Sequence, residues 1–584
     1  MLIPRLSLSL LWAAVALASP TGTPPAGDPE RIATRTATAA VPAGTILGSA
    51  RFGVEAFNGI PYAEPPLGPL RMKPPVRLTE SLGVFDATGL ARPCHQQVVS
   101  TDSQNFLLDT LGSLANLPFV QTVTGQTEDC LTISVARPEG TTAGDNLPVL
   151  FWIFGGGFEL GWTSMYDATG LINHAKSINQ PFVFVAVQYR VAGYGFMPGK
   201  EIMNEGSGNA GLLDQRMGLE WVADNIAAFG GDPDKVTIWG ESAGAISVLD
   251  QMIMYEGDHT YKGKPLFRGA IMNSGQVDRH PDSGSVVPTN PLDHPKGQAV
   301  FDKVAETGGC GGAADKLACL RALSSNDFLN AVTSAPGIVS YDALALSYLP
   351  RPDGKVITVS PDILALSGKY APVPMIIGDQ EDEGTFFGLF QPNLTTARSF
   401  ADYLQSYYFP GATTDQLVQL VETYGTGLSA ITNGSPFGTG LLNEITPGFK
   451  RRAAVLGDLV FTLSRRVFLA GASAAHQNVP SWSYLASYGR GTPIVGTFHG
   501  SDIVQTFFGI PDNYAANSIR TYYSNFVHNL DPNVGVEGKY PNWPRWSEGN
   551  DLAHFFFDRS TLLKDDFRQT SYEWISNHIE ELRF

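Results

Sequence analysis

A serine hydroxyl becomes a useful nucleophile only beside a base, and the base needs a third group to orient it. The chain has one segment suited to presenting such a serine, Gly240-Glu241-Ser242-Ala243-Gly244, its only G-x-S-x-G. In a protein with 62 glycines the pattern alone is weak, because about half an occurrence is expected by chance. Its surroundings are more telling. Val236-Thr-Ile-Trp239 reads as a buried strand entering the motif, and Ala243 to Met254 is helix-compatible beyond it. A strand–turn–helix of this kind is an elbow whose strained backbone lifts a hydroxyl above a sheet. Glycines flank it because side chains would strike the crowded turn. The helix amino end adds positive potential for a developing anion. The bland alternative is a serine that merely caps a helix, and the entering strand argues against it.

The chemistry then requires a base, an acid and donors for an oxyanion. Of ten histidines, His174, His554 and His578 lie in helix-like or mixed stretches, and His280 and His294 in proline-rich loops. His499 differs: it follows the short apolar segment Val495-Gly-Thr-Phe498 and opens into Gly500-Ser501, a loop position after a strand. Asp379, Asp382 and Glu383 crowd into Gly378–Gly384, directly after an expected strand Val373–Ile377, and spacing does not choose among them. Gly155-Gly156-Gly157 ends the apolar run Leu147–Phe154 and offers bare backbone N–H groups to a reacting carbonyl, as does the N–H of Ala243. The chain contains no H-E-x-x-H and no G-x-x-x-x-G-K-[ST]. Gly425-Thr-Gly427-Leu-Ser-Ala430 matches a loose dinucleotide pattern, but a polar helix-like stretch precedes it where a buried strand is needed.

These residues need a scaffold. Near-continuous apolar runs recur at Leu147–Phe154, Phe182–Tyr189, Val236–Trp239, Ala270–Met272 and Val373–Ile377, as in a sheet buried on both faces. Between them, Leu212–Phe229 repeats apolar residues at helical spacing. Strands alternating with helices predict a mainly parallel sheet, with reactive groups beyond the strands' carboxyl ends.

The 584 residues read as one continuous domain over 41–584, preceded by a signal peptide over 1–18 and a flexible leader over 19–40. Arg5, the apolar stretch Leu6–Ala18 and the small residues Ala16 and Ala18 form the export signal. No later segment reads as a transmembrane helix. Hydrophobic residues make up 43% and charged residues only 16%, which argues against disorder. The net charge of −17 argues against nucleic acid as a partner. Cys94, Cys130, Cys310 and Cys319 fit two disulfides in an exported chain, with sequence neighbours expected to pair. Closing those two loops contributes about 4 and about 3 kcal/mol by chain entropy. Asn393-Leu-Thr395 and Asn433-Gly-Ser435 are glycan acceptor sites on the export route, the second weakened by Pro436.

From Val41 onward the chain resembles the type-B carboxylesterase/lipase family. The resemblance rests on Gly59-Ile-Pro-Tyr-Ala63-Glu-Pro-Pro66, Glu128-Asp-Cys-Leu131, Asn209-Ala-Gly-Leu212 with Asp214-Gln215, and Gly230-Gly-Asp-Pro233 before the elbow. Gly378-Asp-Gln380, Asp382-Glu-Gly-Thr-Phe-Phe387, Phe154-Gly-Gly-Gly-Phe158 and Gly496-Thr-Phe-His499 resemble its secreted fungal lipase and sterol-esterase branch. The resemblance implies an α/β-hydrolase fold with a lid-like insertion between Cys94 and Cys130, and the pairings Cys94–Cys130 and Cys310–Cys319. It implies Ser242 as nucleophile, His499 as base, Glu383 as the acid, and Gly156, Gly157 and Ala243 as oxyanion donors. It implies ester hydrolysis with no cofactor.

Three functions are weighed. One is a lipase or sterol esterase for long acyl esters at a lipid–water interface. The second is a carboxylesterase for small soluble esters. The third is a non-catalytic adhesion module, disfavoured because Ser242, Glu383 and His499 are all present. The loop closed by Cys94 and Cys130 is dense in leucine and phenylalanine, with Leu107, Leu111 and Leu114 on one helical face. As a mobile lid it would cover an acyl site walled by Phe386 and Phe387.

Overall fold

The computed structural model describes residues 35–97, 125–275, 290–509, 511–578 and 581–582. The export signal, residues 19–34 of the leader, and the lid segment with Leu111 lie outside the described residues.

The strands are β1 (Arg35–Val41), β2 (Gly44–Arg51), β3 (Val54–Pro61), β4 (Gly83–Asp86), β5 (Thr132–Pro138), β6 (Leu147–Ile153), β7 (Val183–Val187) and β8 (Gly231–Glu241), then the hairpin β9 (Thr260–Tyr261) and β10 (Lys264–Pro265). There follow β11 (Gly269–Asn273), β12 (Met375–Gln380), β13 (Ser481–Ala486), β14 (Asp551–Phe555) and β15 (Ser560–Lys564). All but the hairpin form a single sheet in the order β1-β2-β3-β5-β7-β6-β8-β11-β12-β13-β14-β15, with β4 beside β2. From β7 through β6, β8, β11, β12 and β13 to β14 every pairing is parallel. Antiparallel strands flank this block.

The apolar runs explain the centre. Val149 to Ile153 of β6 are fully buried, as are Ile238 and Trp239 of β8. Strands covered on both faces cannot alternate, which is why these read as unbroken hydrophobic runs. Trp152, Trp239 and Phe507 pack ring against ring beneath the elbow, with centroids 4.3–5.0 Å apart. The helix Ala210–Asn225 and the 3₁₀ turn Ile226–Phe229 cover the periodic stretch Leu212–Phe229, and the helix Ala243–Ile253 covers the helix-compatible stretch after the elbow.

Two boundaries differ from the sequence reading. The flexible leader does not run to residue 40, because Arg35–Val41 is strand β1, paired with β2. Its Thr/Ala alternation buries Ala37, Ala39 and Val41 while Thr36, Thr38 and Ala40 face out. Alanine is too weakly apolar to stand out beside proline- and threonine-rich sequence. The strand expected over Val373–Ile377 is β12, Met375–Gln380, which moves Asp379 from the loop into the sheet.

Both disulfides close as the neighbour rule expects, Cys94–Cys130 and Cys310–Cys319. Asn393 and Asn433 are exposed, whereas Ser435 of the second acceptor site is buried and donates to Asp382 Oδ1 at 2.7 Å.

Candidate active site

The elbow joins β8 to the helix Ala243–Ile253, and Ser242 occupies the turn at φ 57°, ψ −127°. A non-glycine residue there stores about 1–3 kcal/mol of strain, held by its surroundings. The Ser242 N–H donates to the carbonyl of Asn273, at the end of β11, at 2.9 Å. The flanking glycines are sterically required. A Cβ on Gly240 would strike the backbone of Gly244, and one on Gly244 would strike the Ile153 carbonyl of β6. Gly244→Ala is therefore expected to destabilise the protein by about 3 kcal/mol and to remove activity. Denaturant unfolding and ester turnover on the purified variant check this.

His499 arrives from the loop after β13, and Glu383 from the turn after β12. The Ser242 hydroxyl lies 2.7 Å from His499 Nε2, and His499 Nδ1 lies 2.6 Å from Glu383 Oε2. Glu383 Oε1 accepts the Gln380 N–H at 2.6 Å, so the carboxylate is anchored from its own strand end. The imidazole sits against the ring of Phe461 at 4.5 Å and that of Phe387 at 5.3 Å. All three polar side chains are buried.

The neighbouring acids are engaged elsewhere. Asp379 is bound by Arg465, which also pairs with Asp565 in a fully buried cluster. Asp382 accepts the Thr497 N–H at 2.9 Å, the Ser435 hydroxyl at 2.7 Å and the Phe437 N–H at 2.8 Å. Burial, then the nearby Glu381 charge, raises its pKa to about 6 against the pull of those donors. Asp382 thus ties the acid turn to the histidine loop, while Glu383 alone of the three faces His499.

Sequence reasoning passed over a second ring of groups. Glu241, inside the elbow motif, lies 3.4 Å from His499 Nε2 through its Oε1. Burial, then the charges of Asp502 and Glu383, pushes its carboxyl well above the usual range. Asp502, three residues after the histidine, accepts Asn273 Nδ2 at 2.6 Å, and burial raises its pKa to about 6. Asn273 Oδ1 in turn accepts the Tyr523 hydroxyl at 2.9 Å. Position beyond a strand's carboxyl end was the available signal for Asn273. Phe461, on the π-helical stretch Asp458–Thr462, carried no signal at all.

The glycine loop lies beside the serine. A Cβ on Gly155 would come within 2.9 Å of Ser242 Cβ. The N–H groups of Gly156, Gly157 and Ala243 donate to no group among the described residues. Phe387 is buried against His499, while Phe386 is half-buried and meets Phe390 edge-on, so of these two Phe387 is the one that packs on the histidine.

The carboxylesterase family model matches residues 35–574, nearly the whole described chain. The chain belongs to the carboxylesterase family. It is a carboxylic ester hydrolase, and a mainly parallel sheet of this order is the α/β-hydrolase fold. It is 60% identical to a secreted triacylglycerol lipase of Gibberella zeae, over 92% of this chain and 90% of that protein. It is 54% identical to a secreted lipase of Botryotinia fuckeliana, over 94% of this chain and 93% of that one. Lipase 2 of Diutina rugosa is 43% identical, over 97% and 98% of the two chains. Among solved structures, the EstA protein of Aspergillus niger superposes with a TM-score of 0.75 at 25% identity, over 93% of this carboxylesterase and 99% of EstA. No helix among the described residues of the esterase is long and apolar enough to cross a membrane.

Proposed function

We propose that this carboxylesterase is a secreted lipase that hydrolyses long-chain acyl esters, triacylglycerols foremost, by two-step acyl transfer on Ser242. The observation that carries the mechanism is the unbroken relay Ser242–His499–Glu383 at 2.7 and 2.6 Å. The Ser242 hydroxyl donates its proton to His499 Nε2 as Oγ attacks the ester carbonyl. The resulting oxyanion is held by the N–H groups of Gly156, Gly157 and Ala243. His499 returns the proton to the departing alcohol, leaving an acyl-enzyme. Water, deprotonated by His499, then releases the acid. Glu383 accepts the Nδ1–H throughout, fixing the tautomer and stabilising the imidazolium.

The lipase reading rests on the three lipases named above and on an apolar surface beside the site. Leu441, Leu442 and Ile445 are 58%, 72% and 40% exposed. They lie on the segment that Asp382 holds at Phe437 and that Asn443 binds to the Ile494 N–H at 3.0 Å, against the histidine loop. Apolar side chains clustered at one place on a surface mark an interaction site. We assign it to the lipid–water interface, with Phe387 and Phe386 toward the acyl chain. The export signal over 1–18 and glycans at Asn393 and Asn433 complete the reading.

Activity on a long-chain triacylglycerol is expected to rise steeply once substrate exceeds its solubility. Leu442→Asp is expected to lower emulsion hydrolysis about 10-fold, the loss of one leucine's burial, and to leave hydrolysis of a dissolved butyrate ester unchanged. Paired rate measurements check both. Equal rates on dissolved and emulsified substrate would favour a general carboxylesterase.

A further inference from the structure

The oxyanion loop holds a costly backbone. Gly156, Gly157 and Phe158 follow one another at φ 112°, 65° and 58°. A phenylalanine there costs about 1–3 kcal/mol, so contacts outside the turn must hold it. The Ala192 N–H donates to the Phe158 carbonyl at 2.6 Å, and the Gln97 N–H to the Glu159 carbonyl at 3.0 Å. Gln96 exchanges two hydrogen bonds with the Gly161 backbone, at 2.9 and 3.1 Å. The one ionisable group among these holds is Glu159. Its Oε2 accepts the Ile338 N–H at 2.7 Å, while Gln97 Nε2 donates to the Ala335 carbonyl at 2.7 Å beside it. Ile338 in turn abuts Gly157: a Cβ on that glycine would come within 2.7 Å of Ile338 Cδ1. The carboxyl therefore closes a circuit from the loop, through residues 335–338, back to the glycine that carries an oxyanion donor.

We infer that Glu159 is a positioning residue: its carboxyl pins the oxyanion loop to the Ala335–Ile338 segment, and its charge state sets how firmly the Gly157 N–H is aimed. The inference rests on the proposed acyl-transfer mechanism. Glu159 is fully buried, and among the described residues no cation acts on it. Its Oε1 has no hydrogen-bond partner there. Among the described residues the titratable group facing it is the Tyr348 phenol, from the same 335–348 stretch. Burial pushes its pKa up to about 8. The folded value lies above the unfolded one, so the neutral, pinned form holds below about pH 8 and is lost as pH rises through it. Above that pH a carboxylate with the Ile338 N–H as its one donor among the described residues lies in a dry site, and opening the loop to water relieves it.

The test is kcat and KM against pH, from 6 to 10, on a dissolved short-chain ester. Wild type is expected to lose kcat reversibly above about pH 8 with KM little changed. Glu159→Gln keeps an acceptor for the Ile338 N–H and cannot ionise. It is expected to retain kcat within about 3-fold at pH 7 and to lack the alkaline loss. Glu159→Ala is expected to lower kcat about 10- to 100-fold at every pH, the cost of a misplaced catalytic donor. Identical alkaline profiles in wild type and Glu159→Gln would overturn the inference, as would wild-type kcat in Glu159→Ala. Should Glu159→Ala fail to fold, the glutamine profile decides alone. A wild type without esterase activity would instead overturn the acyl-transfer mechanism.

Discussion

Ser242→Ala and His499→Ala each lower kcat by about 10⁴-fold or more while the protein stays folded. The two side chains act as one unit: without the imidazole the hydroxyl is a poor nucleophile, and without the hydroxyl the imidazole has nothing to activate. Neither residue holds the fold. Ser242 contributes to the elbow through its backbone, whose N–H bond to Asn273 survives in alanine. His499 fills a slot between Phe461 and Phe387, and its removal costs packing and one hydrogen-bond partner of Glu383, which keeps the Gln380 N–H. Single-turnover and steady-state rates on a chromogenic ester, with thermal melts beside them, check both halves. A variant keeping a tenth of wild-type kcat would remove that residue from the mechanism.

The second large effect separates two adjacent acids. Glu383→Gln places an amide against His499 Nδ1. An amide NH₂ there favours the tautomer with its proton on Nε2, which cannot accept the serine proton, and kcat falls by about 10⁴-fold. Asp382→Asn acts differently. Asp382 accepts three donors, from Thr497, Ser435 and Phe437, and touches no part of the relay. Asparagine keeps one carbonyl oxygen, so the histidine loop is loosened but not dismantled, and a loss of about 10-fold is expected. Measured kcat for the two variants should differ by more than two decades. Asp382 as the more sensitive position would reassign the acid.

The elbow and the glycine loop were legible because each sits at the end of an apolar run, and burial on both sheet faces writes itself plainly into sequence. The segment Val495–Phe498 before His499 is loop and not the expected strand, so only its glycine turn and its place downstream of the serine marked the histidine. The acid was legible only to a cluster. Asp379, Asp382 and Glu383 have the same chemistry, and what separates them is the direction each side chain takes after β12. Asp379 turns to Arg465, 86 residues away in the chain, a pairing with no local trace. The same holds for Phe461 and Asn273, placed by packing between distant segments. Strand β1 was missed for the opposite reason: its register is local, but alanine and threonine give the alternation too little contrast.

The most direct test of Ser242 as the nucleophile is stoichiometric labelling. The native enzyme is treated with an alkylphosphonate ester carrying a nitrophenyl leaving group, and the digest is sequenced by mass spectrometry. The expected result is one phosphonyl group per chain, on Ser242, with activity lost in proportion and no label on His499→Ala over the same interval. Full inactivation with the label on another residue, or full labelling of Ser242 with activity intact, would contradict acyl transfer at this elbow.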